Sequence, residues 1–422
     1  MNAETETSHQ FHGIAADLGI KCIYCDNTKH RSEVSLEHIW PDKAGGNLLP
    51  AAIFQTEKVC RRCNSTSGLY IDGAFLRSWF GRAERASGWE QYVDLDIEGG
   101  AVVPLTYLGY ARDANCKPEE VCELWLGPNG DHIIHFHEQD SQNWIGSAGG
   151  DPIKRKKADP GRAYIALCSD HPQWVILALR SFACHFGRAD CFVVNAELPK
   201  SWGQLKGLDN LQMLDRSQMK EPSDLTVVDK LIDAGKNGSQ IGILAVCNMY
   251  GDQRFLAKLA LGLGFTTLGD KYLETDHAKT LRTALWQRDP TAGVGKQVFG
   301  RSYFCPEGDT FPAKFLGWPG AWVLWPTVID DALSMIVVTP SGKWLQIQVS
   351  TDPGLWAGSR LAQGMEGSVV YVLVPQLGLK VDPVPYPEYL AHKLGNKSNA
   401  YLANIEARRK SLETLPPKRK AP

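Results

Sequence analysis

Apolar and polar positions change rhythm along this chain, and the changes divide it. Residues 74–85 read as a helix, and Ala86-Ser87-Gly88 is an expected joint after it. From there strand signals dominate to about residue 137. Residues 124–137 alternate around Pro128-Asn129-Gly130 and predict a hairpin; residues 336–349, turning at Pro340-Ser341-Gly342, predict a second of the same form. Between them, residues 172–180 and 254–264 carry helical apolar faces, the latter ending on Gly262 and Gly264 as C-cap signals. Gly262-Leu263-Gly264 follows a helix, whereas a phosphate-binding turn follows a strand, so no nucleotide loop is read there. The pattern predicts a mixed α+β chain. The two similar hairpins raise the idea of a duplicated region on the evidence of one turn.

Four cysteines change that picture. Cys22-Ile-Tyr-Cys25 and Cys60-Arg-Arg-Cys63 form two C-x-x-C knuckles, each able to present two thiolates to one ion. Together they complete the tetrahedral sulfur shell of a structural zinc, with no position left for water. Chemistry must therefore come from what lies between them. That stretch holds Glu37-His38-Ile39-Trp40-Pro41, then Gly45-Gly46-Asn47, and the second knuckle is followed at once by Asn64. Histidine is the side chain whose unperturbed titration lies nearest neutrality, so His38 is the candidate general base. Neighbours on a strand face opposite ways, so Glu37 and His38 need a bend to serve one site.

Over roughly residues 20–80 this arrangement resembles the HNH endonucleases, the ββα-metal nucleases, in their four-cysteine zinc form. The resemblance rests on C-x-x-C, an acidic residue before His38, Ile39, Pro41, the Gly-rich turn and C-x-x-C-N. It implies hydrolysis of DNA phosphodiesters, with Glu37 and Asn64 sharing one catalytic Mg²⁺ or Mn²⁺. It also implies products with 5′ phosphate and 3′ hydroxyl ends. The middle family residue, usually Asn, falls on Gln55, with Asn47 as a lesser stand-in; Gln offers the same donors and acceptor on a longer arm. Arg61 and Arg62 are placed to meet backbone phosphate. A competing reading keeps the zinc and loses the catalysis: a zinc-stapled nucleic-acid-binding protein whose nuclease site is degenerate.

Charge and length bound the rest. A net charge of −2 excludes a protein that coats nucleic acid non-specifically, so affinity must come from local patches. Lys154-Arg155-Lys156-Lys157 is the better candidate, and the tail carries Arg408-Arg409-Lys410 and Lys418-Arg419-Lys420. A chain of 422 residues needs more than one core. The expected division is a flexible start at 1–19, the nuclease module at 20–86, a β-rich α+β domain at 89–200, an α+β domain at 201–400 and a basic tail at 401–422. A nuclease needs only the module, so the remainder is expected to recognise or control, through a small-molecule or protein activator or a second copy of the chain. Bacterial restriction and anti-phage effectors share such an architecture. Seven further cysteines without a framework read as reduced thiols, and neither a leader nor an apolar span is seen, which together point to the cytoplasm. His135 and His137 share a strand face at period two, but with no partner legible in the sequence they are read as structural.

Overall fold

Two knuckles start the first structured unit of the chain. The computed structural model describes residues 19–93, 101–111, 116–117, 119–138, 160–195, 208–215, 222–237, 242–244, 249–287, 300–301 and 315–409. Strands β1 (Ile20–Lys21) and β2 (Thr28–Lys29) pair antiparallel across the first knuckle. β3 (Val34–His38) leads into a tight reversal at Gly45 and Gly46. Gly45 has φ +90°, and a Cβ on Gly46 would lie 2.0 Å from the Trp40 carbonyl oxygen, so both positions require glycine. A short helix α1 (Ala51–Phe54), strand β4 (Gln55–Cys60) paired antiparallel with β3, and helix α2 (Arg61–Ser67) complete a ββα unit.

One wide helical turn, Gly68–Asp72, links α2 to α3 (Gly73–Arg77), and α4 (Trp79–Tyr92) follows. The single helix expected over 74–85 is thus broken at Ser78, whose hydroxyl accepts from the Gly81 N–H as an N-cap. The joint expected at residues 86–88 lies inside α4. Gly88 is there for close approach and makes no turn: a Cβ would lie 3.1 Å from the Gly320 carbonyl oxygen and 2.7 Å from Gln376 Nε2.

A seven-stranded sheet comes next. Its strands are β5 (Thr106–Ala111), β6 (Glu120–Leu126), β7 (His132–Glu138), β8 (Arg162–Ala166), β9 (Asp190–Val193), β10 (Leu211–Met213) and β11 (Ile243–Leu244), in the order β10-β9-β8-β7-β6-β5-β11. β6 and β7 are the first predicted hairpin, with Gly130 at φ +81°. Helix α5 (Pro172–His185) connects the parallel pair β8 and β9 and buries Val175, Ala178, Leu179 and Phe182 against the sheet. Helix α6 (Pro222–Asn237) is tied on by Asp224, which accepts from Arg162 Nε at 2.6 Å and from the Tyr164 hydroxyl at 2.7 Å. This sheet reaches Leu244, so the boundary expected near residue 200 falls within it.

Helices α7 (Met249–Leu268) and α8 (Asp276–Trp286) precede a six-stranded, wholly antiparallel sheet. It is built from β12 (Gly300–Arg301), β13 (Trp322–Ile329), β14 (Ala332–Val338), β15 (Trp344–Ser350), β16 (Val369–Leu373) and β17 (Val384–Pro385), in the order β12-β15-β14-β13-β16-β17. β14 and β15 are the second predicted hairpin. The first sheet contains parallel pairs and this one has none, so the similar turns mark a local likeness and not a repeat. Helices α9 (Tyr386–Lys393) and α10 (Ala400–Arg409) close the described chain.

The nuclease-like unit does not end at its own surface. One apolar core joins Ile39, Trp40, Phe54 and Phe75 to Phe255, Leu259 and Leu263 of α7, and on to Trp322, Met335 and Tyr371 of the second sheet. Phe75 stacks on Phe255 at 3.9 Å, and Trp40 meets Trp322 edge-on at 5.2 Å. The glycines expected to cap α7 lie within it, because Gly262 faces the Ile39 side chain and Gly264 the Tyr272 ring; a Cβ would fall 2.9 Å and 2.2 Å from them. The true stop is Gly269, at φ +80°. Along the edge, α8 grips the first knuckle: Arg282 donates to the Ile23 carbonyl and Trp286 Nε1 to that of Tyr24. A second tie runs from α4 to the second hairpin, where the wholly buried Glu84 accepts from the Ser341 N–H and hydroxyl and from Lys343 Nζ. Among the described residues no helix is long and apolar enough to cross a membrane.

Candidate nuclease site and metal centre

The four cysteines meet. Sγ atoms of Cys22, Cys25, Cys60 and Cys63 all lie within 4.8 Å of one another, Cys22, Cys60 and Cys63 buried and Cys25 partly so. A tetrahedral zinc with bonds of about 2.3 Å sets its sulfurs about 3.8 Å apart, so the donor set and its spacing suit that ion after small adjustment. The Cys60 N–H donates to Cys22 Sγ at 3.3 Å. A hydrogen bond from the Cys63 thiol, aided by backbone donors, pulls Cys22 down to about 4 against its burial, while burial pushes Cys25 up.

Beside the cluster, β3 and β4 carry an irregularity. Ser35 pairs with Val59 but Glu37 with Thr56, so β4 spends an extra residue opposite Leu36. After it, His38 stands directly across from Gln55. Asn64, on α2, donates to the Leu36 carbonyl at 2.7 Å and to the Ser35 hydroxyl at 3.1 Å, pinning β3 to the helix. Asn47 stands apart, exposed, its carbonyl accepting from Lys380 Nζ. Arg61 and Arg62 are exposed on the first turn of α2; Arg61 Nε reaches the Val34 carbonyl at 3.5 Å. Lys154, Arg155, Lys156 and Lys157 lie outside the described residues.

Glu37 points inward, where the sequence offered no sign of its partner. Its Oε1 lies 2.7 Å from Nζ of Lys258, on α7, and accepts from the Tyr24 hydroxyl at 3.1 Å. The same Lys258 ammonium donates to Asp72 Oδ2 at 2.8 Å and to the His38 carbonyl at 3.1 Å. Lys258 is wholly buried. Burial alone would lower its pKa, but Asp72 and Glu37 outweigh that and hold it raised; burial carries Asp72 up to about 6 despite the lysine. Sequence reasoning missed Lys258, Tyr24 and Asp72. A lysine in an apolar helix is the one signal that could have flagged the first, since buried lysines need partners.

The residues test a catalytic ion more severely than the zinc. Among the described residues, clusters of three or more His, Cys, Asp or Glu ligand atoms occur at the four cysteines and at Glu123, His135 and His137, and neither includes Glu37. The lysine and tyrosine bonds use Oε1, which leaves Glu37 Oε2 and the Asn64 carbonyl oxygen as the donors on offer. Two oxygens alone would leave most of a divalent ion's shell to water and phosphate oxygens.

A strand pair and helix around a four-cysteine cluster, with a histidine at the strand end, define a zinc-type ββα module. Residues 22–80 match the family model for HNH endonucleases. The N-terminal module is of that type, which implies nuclease chemistry on a nucleic acid with a divalent metal. No curated protein and no solved structure matches the chain.

Proposed function

We propose that the protein is a metal-dependent DNA endonuclease in which His38 takes the proton from the attacking water. The observation that carries this reading is the placing of His38. It ends β3 opposite Gln55, just past the bulge in β4, with its carbonyl bonded to a buried ammonium, inside the segment that matches the nuclease family. A fixed backbone would limit where the imidazole can stand, as a general base requires. Gln55 would orient the histidine loop, Asn64 holds β3 on α2, and Arg61 and Arg62 would meet the DNA backbone. When bound, Mg²⁺ or Mn²⁺ held by Glu37 and Asn64 would neutralise charge on the phosphate and the departing 3′ oxygen. The large C-terminal region would recognise the target or control the module, in the manner of a cytoplasmic anti-phage effector answering an activator.

His38→Ala tests the proposal on supercoiled plasmid with Mg²⁺ or Mn²⁺. Cleavage should fall by at least about a hundredfold, with zinc content and unfolding midpoint unchanged, since a base contributes about 10²–10⁴ to rate. Undiminished cleavage overturns it. One observation favours the second reading, a binding protein with a degenerate site: the engagement of Glu37 by Lys258. Wild-type protein that binds DNA but cleaves under no divalent metal would establish that reading instead. Charge reversal at Lys154, Arg155, Lys156 and Lys157 should weaken DNA binding and flatten its dependence on salt, as fewer counterions are released. A salt slope equal to wild type would remove that patch from the interface.

A further inference from the structure

We propose a second metal site, unrelated to the cysteine cluster, formed by Glu123, His135 and His137 in the seven-stranded sheet and suited to a divalent cation of the zinc class. The three residues lie on adjacent strands of the first hairpin. Glu123 of β6 is the register partner of His135 of β7, and His137 stands two residues on, on the same face. Glu123 Oε2 is 3.4 Å from His135 Nδ1, and its Oε1 is 3.4 Å from His137 Nε2. Tetrahedral bonds of about 2.0–2.1 Å place donors about 3.3–3.4 Å apart, and each histidine nitrogen stands at that distance from one of the two carboxylate oxygens. One ligand atom from each residue lies within 4.8 Å of the others. Glu123 and His135 are buried; the His137 side chain keeps 20% of its exposure, which leaves one open side.

The outer bonds strengthen the case. His135 Nε2 lies 2.8 Å from the Pro160 carbonyl oxygen, and His137 Nδ1 lies 2.8 Å from that of Glu138. A carbonyl only accepts, so both of those nitrogens carry protons. The other nitrogen of each ring, the one turned to Glu123, is a lone pair whenever the ring is neutral. The two rings stack at 4.5 Å, so their Glu123-facing nitrogens and the carboxylate converge on one spot. A cation in the centre satisfies all three groups at once. Histidines that bind a metal with one nitrogen and a carbonyl with the other are the usual arrangement of such sites, because the outer bond sets tautomer and ring orientation. Trp125 Nε1 donates to Glu123 Oε2 at 3.2 Å and steadies the carboxylate. Two nitrogens and one oxygen form a borderline donor set that zinc prefers over Mg²⁺ or Ca²⁺.

The sequence did not reveal this site because the carboxylate is a register partner, and a hairpin's register is not read from residue types. The test uses the full chain and Zn²⁺ alone. Folded wild-type protein, its cluster zinc kept in place and titrated with Zn²⁺, should hold two equivalents in all, one of them lost in His137→Gln, whose affinity for the second ion falls at least about a hundredfold. Cobalt loading separates the two sites: the thiolate-to-metal charge-transfer band of the cysteine cluster should persist in His137→Gln while the absorption of the second ion vanishes. Hydrogen exchange of residues 120–138 should slow on the second addition in wild type only. Wild-type protein saturating at one equivalent overturns the proposal whatever the variant does, and so does a His137→Gln protein that binds two. Neither result depends on DNA cleavage, so the fate of the nuclease reading is separate.

Discussion

Cys60→Ala should cost the protein one bound zinc and the folding of its N-terminal module at 25 °C. Binding free energies of structural zinc in small modules are about 10–16 kcal/mol, comparable to the entire stability of an ordinary domain at about 5–15 kcal/mol. Cys60 occupies a demanding position: it supplies one sulfur, ends β4, precedes α2, and its N–H bonds Cys22 Sγ. Losing the metal would free both knuckles and with them β3, where His38 sits. The damage should spread, because the core of the module continues into α7 and the second sheet without interruption. Zinc analysis and hydrogen exchange over residues 20–80 and 255–285 read the outcome. A variant that keeps its zinc and its unfolding midpoint would show that the cluster holds no metal of structural weight.

The second large effect is expected at Lys258. Replacing it by Met keeps most of the stem but leaves Glu37 and Asp72 buried together without their cation, and breaking a buried pair in this way costs about 3–5 kcal/mol. Denaturant unfolding measures it, and a loss below about 1 kcal/mol would mean that the lysine is not holding the carboxylates. The penalty belongs to the stranded charges, so Glu37→Gln and Asp72→Asn added to Lys258→Met should recover part of it. Proton linkage gives an independent check. Asp72 is raised to about 6 in the folded protein, above its value in an unfolded chain. Its contribution is therefore fully present below about 4 and is lost as pH rises through about 6. Lys258 stays charged throughout that window. Wild type should accordingly gain stability relative to Asp72→Asn as pH falls from 7 to 4; a difference flat across that range would contradict the burial of Asp72.

The buried lysine also bears on the strand that carries the proposed base. It bonds both the side chain of Glu37 and the backbone of His38, so the strand end that carries the proposed base is positioned from the other half of the chain. The nuclease module therefore depends on α7 for its geometry as well as for its core.

Some of this was present in residue types and spacing alone. Two C-x-x-C pairs meet at one point wherever a single tetrahedral ion is to be filled, and the ligand atoms converge as that spacing requires. Gly45-Gly46, Gly130 and Gly342 mark turns that demand φ above zero or very close approach, a local property that a sequence carries by itself. The α+β class and both hairpins follow from period-two alternation between such turns. Other features were decided only by packing. Gly88, Gly262 and Gly264 look like helix ends yet lie within helices, because what they accommodate is a neighbour from a distant segment. Lys258 meets His38 across 220 residues, and Glu123 meets His137 through strand register. Composition and local period carry no information about such pairings, since nothing in a lysine or a glutamate says which buried partner it will face. Those partners are chosen when the helices and sheets close on one core, and there the pairing of Glu37 with Lys258 and the convergence of Glu123 with two histidines were determined.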